Sequence, residues 1–284
     1  MITIQSLEKI EFDRLFEAFS QAFADYEMQL SKEELLAMIT RRGFVAELSF
    51  GAFDDDRLVA FTLNGIGQFG DVSTAYDTGT GTIDGFRGQG LATRIFEYSI
   101  PFLKSAGVSQ YLLEVLQDNS KAVSVYQKLG FQVSREFNYF IQELEDIKLI
   151  AKHSSCDFPI QPIDLSWKEM MIGCWDFIPS WQNSFEAIAR NPKDFKMEAA
   201  FDKAKLIGYY IFEPKSGDIT QLAVHPEYRR KGLASVLLNR AVSFTQIGSV
   251  KAINTLVGCE SVTEFLQSNG IPLKGKQFEM IKPL

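Results

Sequence analysis

The sequence is poor in the residues that staple small domains or bind metals. Its 284 residues hold three cysteines (Cys156, Cys174, Cys259) and two histidines (His153, His225). Three is an odd number and no C-x-x-C spacing occurs, which argues against a disulfide framework or a zinc site; no metal is expected. No stretch approaches the roughly 20 apolar residues of a membrane span. Met1–Glu11 has no basic segment followed by an apolar one, so no secretory leader is expected. The expected compartment is the cytoplasm, with no membrane partner. Basic excess is also lacking. The formal charge is -7, which disfavours a nucleic-acid partner. Residues 1–150 carry 22 acidic and 13 basic side chains, the remainder 14 and 16. An acidic first half attracts cations at long range, although solubility alone accounts for such a bias.

The length suits two domains of ordinary size. Phe12, Leu15, Phe16 and Phe19 have helical spacing, and Ser31 with Glu34 has the spacing of a capping box. Strands are expected at Ile2–Gln5, Phe44–Phe53, Leu58–Ile66, Ser73–Ile83, Tyr111–Leu116 and Phe131–Gln142. A helix is expected over Gly88–Ala106, kinked at Pro101, and another over Ser120–Leu129. The pattern weakens near Asp157, Pro159 and Pro162, which places a boundary around Lys152 and two domains at 1–150 and 151–284. The order then returns. Ser166 and Glu169 repeat the capping-box spacing, a hairpin is expected over Phe195–Phe212, a strand at Asp218–His225 and a helix at Arg230–Thr245. A strand at Val250–Val257, a helix at Ser261–Gln267 and a strand at Phe278–Ile281 complete it.

Two landmarks point to an internal duplication. Arg87-Gly-Gln-Gly90-Leu-Ala92 matches Arg229-Arg-Lys-Gly232-Leu-Ala234 at an offset of 142, and Lys128-Leu-Gly130-Phe131 matches Ser268-Asn-Gly270-Ile271 at an offset of 140. Each first landmark joins a strand to a helix. The N–H groups at a helix N-terminus have no intrahelical partner and favour an anion, and glycines let a phosphate come close. A pyrophosphate fits such a loop. A P-loop is excluded because neither copy ends in Gly-Lys-Ser/Thr. Gly79-Thr-Gly81-Thr-Ile-Asp84-Gly85 misses the dinucleotide spacing by one residue.

Arg87-x-x-Gly90-x-Ala92 and Arg229-x-x-Gly232-x-Ala234 resemble the R/Q-x-x-G-x-G/A loop of the GNAT N-acetyltransferases. Asn119-Ser-Lys-Ala122-Val-Ser-Val-Tyr126-Gln-Lys-Leu-Gly130-Phe131 is similar to that family's N-x-x-A-x-x-x-Y-x-x-x-G-F run. The resemblance implies an α/β fold of the α+β type. It implies two tandem GNAT-like domains, each a mixed, mostly antiparallel sheet flanked by helices, with acyl-CoA lying between two splayed central strands. It implies acetyl-CoA as co-substrate, a primary amine (small molecule or peptide) as acceptor, and direct attack through a tetrahedral intermediate.

By the same resemblance, cofactor contacts fall to Thr80, Gly81 and Thr82, to Arg87, Gly88, Gln89, Gly90, Leu91, Ala92 and Thr93, and to Asn119. In the second half they fall to Leu222 and Val224, and to Arg229, Arg230, Lys231, Gly232, Leu233, Ala234 and Ser235. The resemblance also makes Tyr126 the candidate acid for the leaving thiolate, a role a phenol can fill because it keeps its proton at neutral pH. Glu114 and Asp77 are candidate bases, with Asp25 and Tyr26 near the expected acceptor side. At the offset of 140, Tyr126 meets Leu266 and Asn119 meets Cys259, so the first domain is expected to do the chemistry and the second to be degenerate. The alternative is a non-catalytic acyl-CoA-binding or structural protein of the same fold. Oligomeric state is left open.

Overall fold

The computed structural model describes residues 1–25, 29–148 and 158–284. Two compact units emerge, and they interleave along the chain. The first gathers Met1–Val115, Asn119–Ser134 and Glu279–Leu284; the second gathers Leu116–Asp118 and Arg135–Phe278. The domains expected at 1–150 and 151–284 follow chain order. The compact units instead place Arg135–Lys148 in the second unit and the chain end in the first. The boundary expected near Lys152, with His153 and Cys156, lies outside the described residues.

The first unit runs β1 (Ile2–Ser6), α1 (Phe12–Ala22), α2 (Lys32–Arg42), β2 (Phe50–Asp54), β3 (Arg57–Phe69), β4 (Val72–Thr82), α3 (Leu91–Ser105), β5 (Gln110–Leu116) and α4 (Ser120–Lys128). The Ser31/Glu34 capping box is formed, each side chain accepting from the other residue's backbone N–H. Strand is replaced at Ala46–Leu48 by a single 3-10 turn, so β2 is shorter than its β-rich sequence suggests. α3 continues through Pro101. β1 to β4 pair antiparallel in sequence order, and β5 joins β4 in parallel. Leu15, Phe19, Leu35, Ile39 and Phe61 fill one face of the sheet, while Phe50, Val59, Leu91 and Ile95 fill the other. The chain end belongs to this unit: Lys282 Nζ donates to Leu129 O at 2.6 Å and Leu284 N–H to Ser109 O at 2.9 Å.

β6 (Gln132–Glu143) passes into the second unit at Arg135, where Phe137–Glu143 pair antiparallel with β11. That unit continues with β7 (Ile160–Pro162), α5 (Lys168–Ile172), α6 (Phe185–Ala189), β8 (Lys196–Asp202), β9 (Lys205–Glu213), β10 (Asp218–Val224), α7 (Leu233–Val242), β11 (Ser249–Leu256), α8 (Glu260–Ser268) and β12 (Leu273–Pro283), whose last residues return to the first unit. The expected Ser166/Glu169 box is not what starts α5. Asp164 accepts from Ser166 N–H in a short turn, and α5 begins only after Trp167. Phe140, Tyr210, Leu237 and Val250 form the core on one face, and Met171, Ile188, Tyr209 and Ile211 the core on the other.

Candidate functional site

In the first unit, β4 and β5 keep parallel register only from Thr74 to Tyr76 against Gln110 to Leu112. Beyond that point the two strands part among the described residues, and a gap opens. β4 also carries one extra residue against β3: Leu63 faces Gly79 and Asn64 faces Asp77, leaving Thr78 as a bulge. Ile83 N–H donates to Val59 O at 2.9 Å. Antiparallel strands alternate between bonded and outward-facing pairs, so the backbone groups of Thr82 and Thr80 face the gap. Gly81 must be small, because a Cβ there would lie 2.7 Å from the Phe61 ring.

β4 leads into the loop through a 3-10 turn at Asp84–Phe86. The helix starts at Leu91, later than the sequence suggests, because Gly88 (φ 77) and Gly90 (φ 70) adopt left-handed backbone that only glycine enters freely. Gly90 carries no side chain to cap the helix, and the first intrahelical bond is Arg94 N–H to Gly90 O. The N–H groups of Leu91, Ala92 and Thr93 therefore lack an intrahelical acceptor. A Cβ at Gly88 or Gly90 would meet nothing within 4 Å, so the loop backbone is open to an approaching group, with Gln89 exposed between the two. A diphosphate has the charge and size for such a cradle.

Arg87, read from the sequence as a phosphate ligand, is engaged with protein. Its Nε donates to Thr82 O (3.2 Å), Nη2 to Ala22 O (2.9 Å), and Nη1 meets Asp25 (2.6 Å) and Asp84 (3.2 Å). The arginine thereby ties the loop to the end of α1. Tyr26 lies outside the described residues.

Inside the gap, Tyr126 projects from α4. Its hydroxyl donates to Asp77 Oδ2 at 3.2 Å; Thr80 Oγ1 donates to the same oxygen at 2.8 Å, and Gly79 N–H to Asp77 Oδ1 at 2.9 Å. Burial pushes the Asp77 carboxyl above the ordinary carboxylate range, against the pull of those three bonds and of the Arg42 charge. Glu114, on β5, bonds the Tyr76 hydroxyl, and burial with that carboxylate drives the phenol well above its ordinary value. Asn119 Oδ1 accepts from Ala122 N–H at 3.2 Å and so caps α4. The structure thus brings Tyr126 and Asp77 together, and Asn119 caps α4.

The raised Asp77 pKa has a consequence for stability. The fold holds that proton more tightly than the unfolded chain, whose aspartate titrates near 3.9, so stability falls as pH rises through the interval between the two values. Asp77→Asn is therefore expected to melt at a higher temperature than the wild type at about pH 7 to 8, with the difference shrinking to nothing below about pH 4. Thermal melts across that range check it.

The second unit repeats the frame. β10 and β11 hold register only at Asp218 with Lys251, and Thr220 is the bulge. His225 N–H donates to Ile207 O, so Leu222 and Val224 face the gap. Arg229 mirrors Arg87: Nε to Val224 O (2.9 Å), Nη2 to Cys174 O (3.3 Å), Nη1 to Asp176 (2.9 Å). Arg230 takes the left-handed backbone (φ 61) that Gly88 takes in the first unit, and Gly232 (φ 84) precedes the N–H groups of Leu233, Ala234 and Ser235. Lys231 reaches back to Glu227 O at 3.0 Å. Around this gap lies a cavity of about 400 Å³.

The chemistry differs, however. The positions matching Asp77, Glu114 and Tyr126 are Ile219, Asn254 and Leu266, all lining the cavity and none ionisable. Asn254 has left-handed backbone (φ 59) and is tied to Ser180 Oγ and Gln277. Thr255, 8% exposed, also lines the cavity, and its Oγ1 has no hydrogen-bond partner among the described residues. Trp181 is buried, with Arg190 over its ring at 5.2 Å, as suits a packing residue.

With this geometry the comparisons with known proteins agree. The acetyltransferase (GNAT) family pattern matches residues 10–131 and again 160–260. The chain belongs to the GNAT acetyltransferase family. N-alpha-acetyltransferase 30 of Schizosaccharomyces pombe is 30% identical over 106 residues, covering 37% of this chain and 71% of that protein. Its Saccharomyces cerevisiae namesake is 32% identical over 66 residues, covering 23% and 38%. Among solved structures, a tandem GNAT protein from the clavulanic acid biosynthesis pathway superposes with TM-score 0.75 at 10% identity over 100% of this chain and 98% of that one. A GCN5-related N-acetyltransferase from Sphaerobacter thermophilus gives 0.72 at 13%, over 99% and 95%. At those identities the likeness is one of fold, and the fold is the tandem GNAT architecture. As a GNAT acetyltransferase the protein is an acyltransferase that moves an acetyl group to an amine, in a family that uses acetyl-CoA as co-substrate. Among the described residues no helix is long and apolar enough to cross a membrane.

Proposed function

We propose that the first unit of this GNAT protein acetylates a primary amine and that the second holds a CoA thioester without transferring its acyl group. The observation that carries this reading is the Tyr126–Asp77 hydrogen bond in the β4/β5 gap, set against Leu266 and Ile219 at the matching places. Bound acetyl-CoA supplies the thioester that the amine attacks and the sulfur that leaves.

The chain's own part is to bind, orient and move protons. The N–H groups of Leu91, Ala92 and Thr93 hold the diphosphate, and the gap-facing backbone of Thr80 and Thr82 lines the path of the pantetheine. Asp77, ionised, takes the proton that the attacking amine sheds. Tyr126 gives a proton toward the departing sulfur and is resupplied by Asp77 through their hydrogen bond. The circuit closes without solvent. In the second unit Ile219, Asn254 and Leu266 cannot carry such a circuit, while the open helix N-terminus and the buried Thr255 hydroxyl remain to bind.

For the acceptor, the yeast relatives named N-alpha-acetyltransferase favour the α-amino group of a peptide or protein N-terminus. Acetyl-CoA as donor makes the cytoplasm the expected compartment. Thiol release from acetyl-CoA is to be measured with a panel of free-N-terminus peptides, the same peptides blocked at the α-amine but bearing lysine, and small amines. At least one peptide with a free α-amine is expected to react about 10-fold faster than its blocked form, a difference of about 1.4 kcal/mol in barrier. Faster release with small amines than with any peptide would move the acceptor to that class. No release with any amine would defeat the reading.

A further inference from the structure

Arg42 ends α2, and the local fold delivers its side chain to one place. Gly43 (φ 82) closes the helix, with the Gly43 and Phe44 N–H groups returning to Thr40 O and Ile39 O. The chain is then bonded to β3: Val45 N–H donates to Asn64 O and Ile66 N–H to Gly43 O, each at 2.9 Å. The approach is so close that a Cβ at Gly65 would lie 2.0 Å from the Arg42 carbonyl oxygen. From this fixed base the guanidinium reaches β4, where Nη1 donates to Thr78 O at 2.9 Å. Thr78 is the bulge residue, and its own hydroxyl donates to Leu63 O at 2.8 Å. A bulge interrupts the ladder, so its carbonyl needs a partner from outside the regular pairing. Arg42 is that partner.

The bulge decides where Asp77 stands. Asp77 immediately precedes Thr78, and its carboxylate is folded back onto Gly79 N–H and Thr80 Oγ1 on the other side of the bulge. We infer that Arg42 is a positioning residue for acetyl transfer, fixing the Thr78 bulge so that the Asp77 carboxylate stands opposite the Tyr126 hydroxyl and balancing that carboxylate's charge. The inference rests on the assignment of transfer to the first unit. Among the described residues, the titratable and charged groups that act on Asp77 are Tyr76 from β4, Tyr111 from β5, Tyr126 from α4 and Arg42 from α2, while Glu114 of β5 bonds Tyr76. Among these described groups Arg42 is the cation. Burial raises the Asp77 carboxyl; the hydrogen bonds from Thr80, Tyr126 and Gly79 lower it, and the Arg42 charge lowers it further. Loss of the arginine leaves a base that holds its proton to higher pH and stands on a looser bulge.

The test measures kcat and KM for acetyl-CoA from about pH 5.5 to about pH 9 in Arg42→Gln and Arg42→Lys. Arg42→Gln is expected to lower kcat about 10-fold or more, since small misplacements at a reacting centre have large effects. It should move the acid limb of the kcat profile to higher pH and leave KM for acetyl-CoA within about twofold. Arg42→Lys keeps the charge without the planar fork, so the limb should return to its wild-type position while kcat recovers only in part. In an Asp77→Asn background the limb should be absent and Arg42→Gln should add little, as expected of two residues in one network. An unmoved limb with unchanged kcat in Arg42→Gln overturns the inference, as do effects of Arg42→Gln and Asp77→Asn that multiply. If Arg42→Gln does not fold, Arg42→Lys decides: a partial loss of kcat with an unmoved limb supports the role, and unchanged kcat removes it. Tyr126→Phe measured alongside separates the two levels. A silent Tyr126→Phe sinks the assignment of the site, whereas a slow Tyr126→Phe with a silent Arg42→Gln sinks only the part given to Arg42.

Discussion

Tyr126→Phe lowers the rate of acetyl transfer about 10²- to 10⁴-fold while the affinity for acetyl-CoA stays within about twofold of the wild type. The size follows from what the hydroxyl does. A thiolate leaving an amide-forming centre needs a proton, and general acid help of this kind is worth about 3 to 5 kcal/mol of barrier. The substitution removes one oxygen and leaves the ring, which packs edge-on against Phe131 at a centroid distance of 5.7 Å. Folding is little affected for that reason. One hydrogen bond to Asp77 is lost, but Thr80 Oγ1 and Gly79 N–H still serve the carboxylate. Affinity is unaffected because the diphosphate contacts lie at the start of α3. Single-turnover rates and calorimetric titration with acetyl-CoA give the two halves of the result.

Thr93→Glu has the opposite signature. It is expected to weaken acetyl-CoA binding at the first unit about 100-fold or more, which corresponds to about 2.7 kcal/mol, and to abolish turnover at ordinary substrate levels, while any site in the second unit is untouched. A carboxylate in the first turn of a helix suits the helix dipole, so α3 itself is not harmed. The same carboxylate lies where the N–H groups of Leu91, Ala92 and Thr93 await a dianionic group, and it repels that group. Melting temperature without ligand should be equal to or above that of the wild type, and the upward shift on adding acetyl-CoA should shrink. Glutamate at Thr93 that leaves both affinity and turnover intact would show that this loop is not where the diphosphate is held.

What could be read from the sequence were features that depend on residues close together in the chain. The loop is a run of six residues whose glycines report left-handed backbone directly, and Ser31 with Glu34 reports a cap within one turn. Tyr126 stands in a helix signature whose spacing survives in the chain. Arg87 was legible as a loop residue but not in its task, because its partners Ala22, the last residue of α1, and Asp25, three residues beyond it, lie some sixty positions upstream. Arg42 was not legible at all. Its importance arises only when the end of α2 is bonded to β3 and the bulge at Thr78 lies 36 positions away. The bulge has no sequence marker, since Thr78 is an ordinary strand residue. The interleaving of the units was hidden for a related reason. β6 reads as a strand at the end of the first repeat, yet strand pattern says nothing about which neighbour accepts its edge, and here Phe137–Glu143 pair with β11. The replacement of Asp77 and Glu114 by Ile219 and Asn254 becomes visible only once bulges and gaps align the two repeats.

The most direct test of the account is a crystal structure of the protein with a CoA thioether that cannot be transferred. The account predicts the diphosphate on the N–H groups of Leu91, Ala92 and Thr93 and the sulfur within hydrogen-bonding distance of the Tyr126 hydroxyl. A first unit whose β4/β5 gap stays empty while only the second is filled, or a Tyr126 hydroxyl turned away from the sulfur, would contradict it.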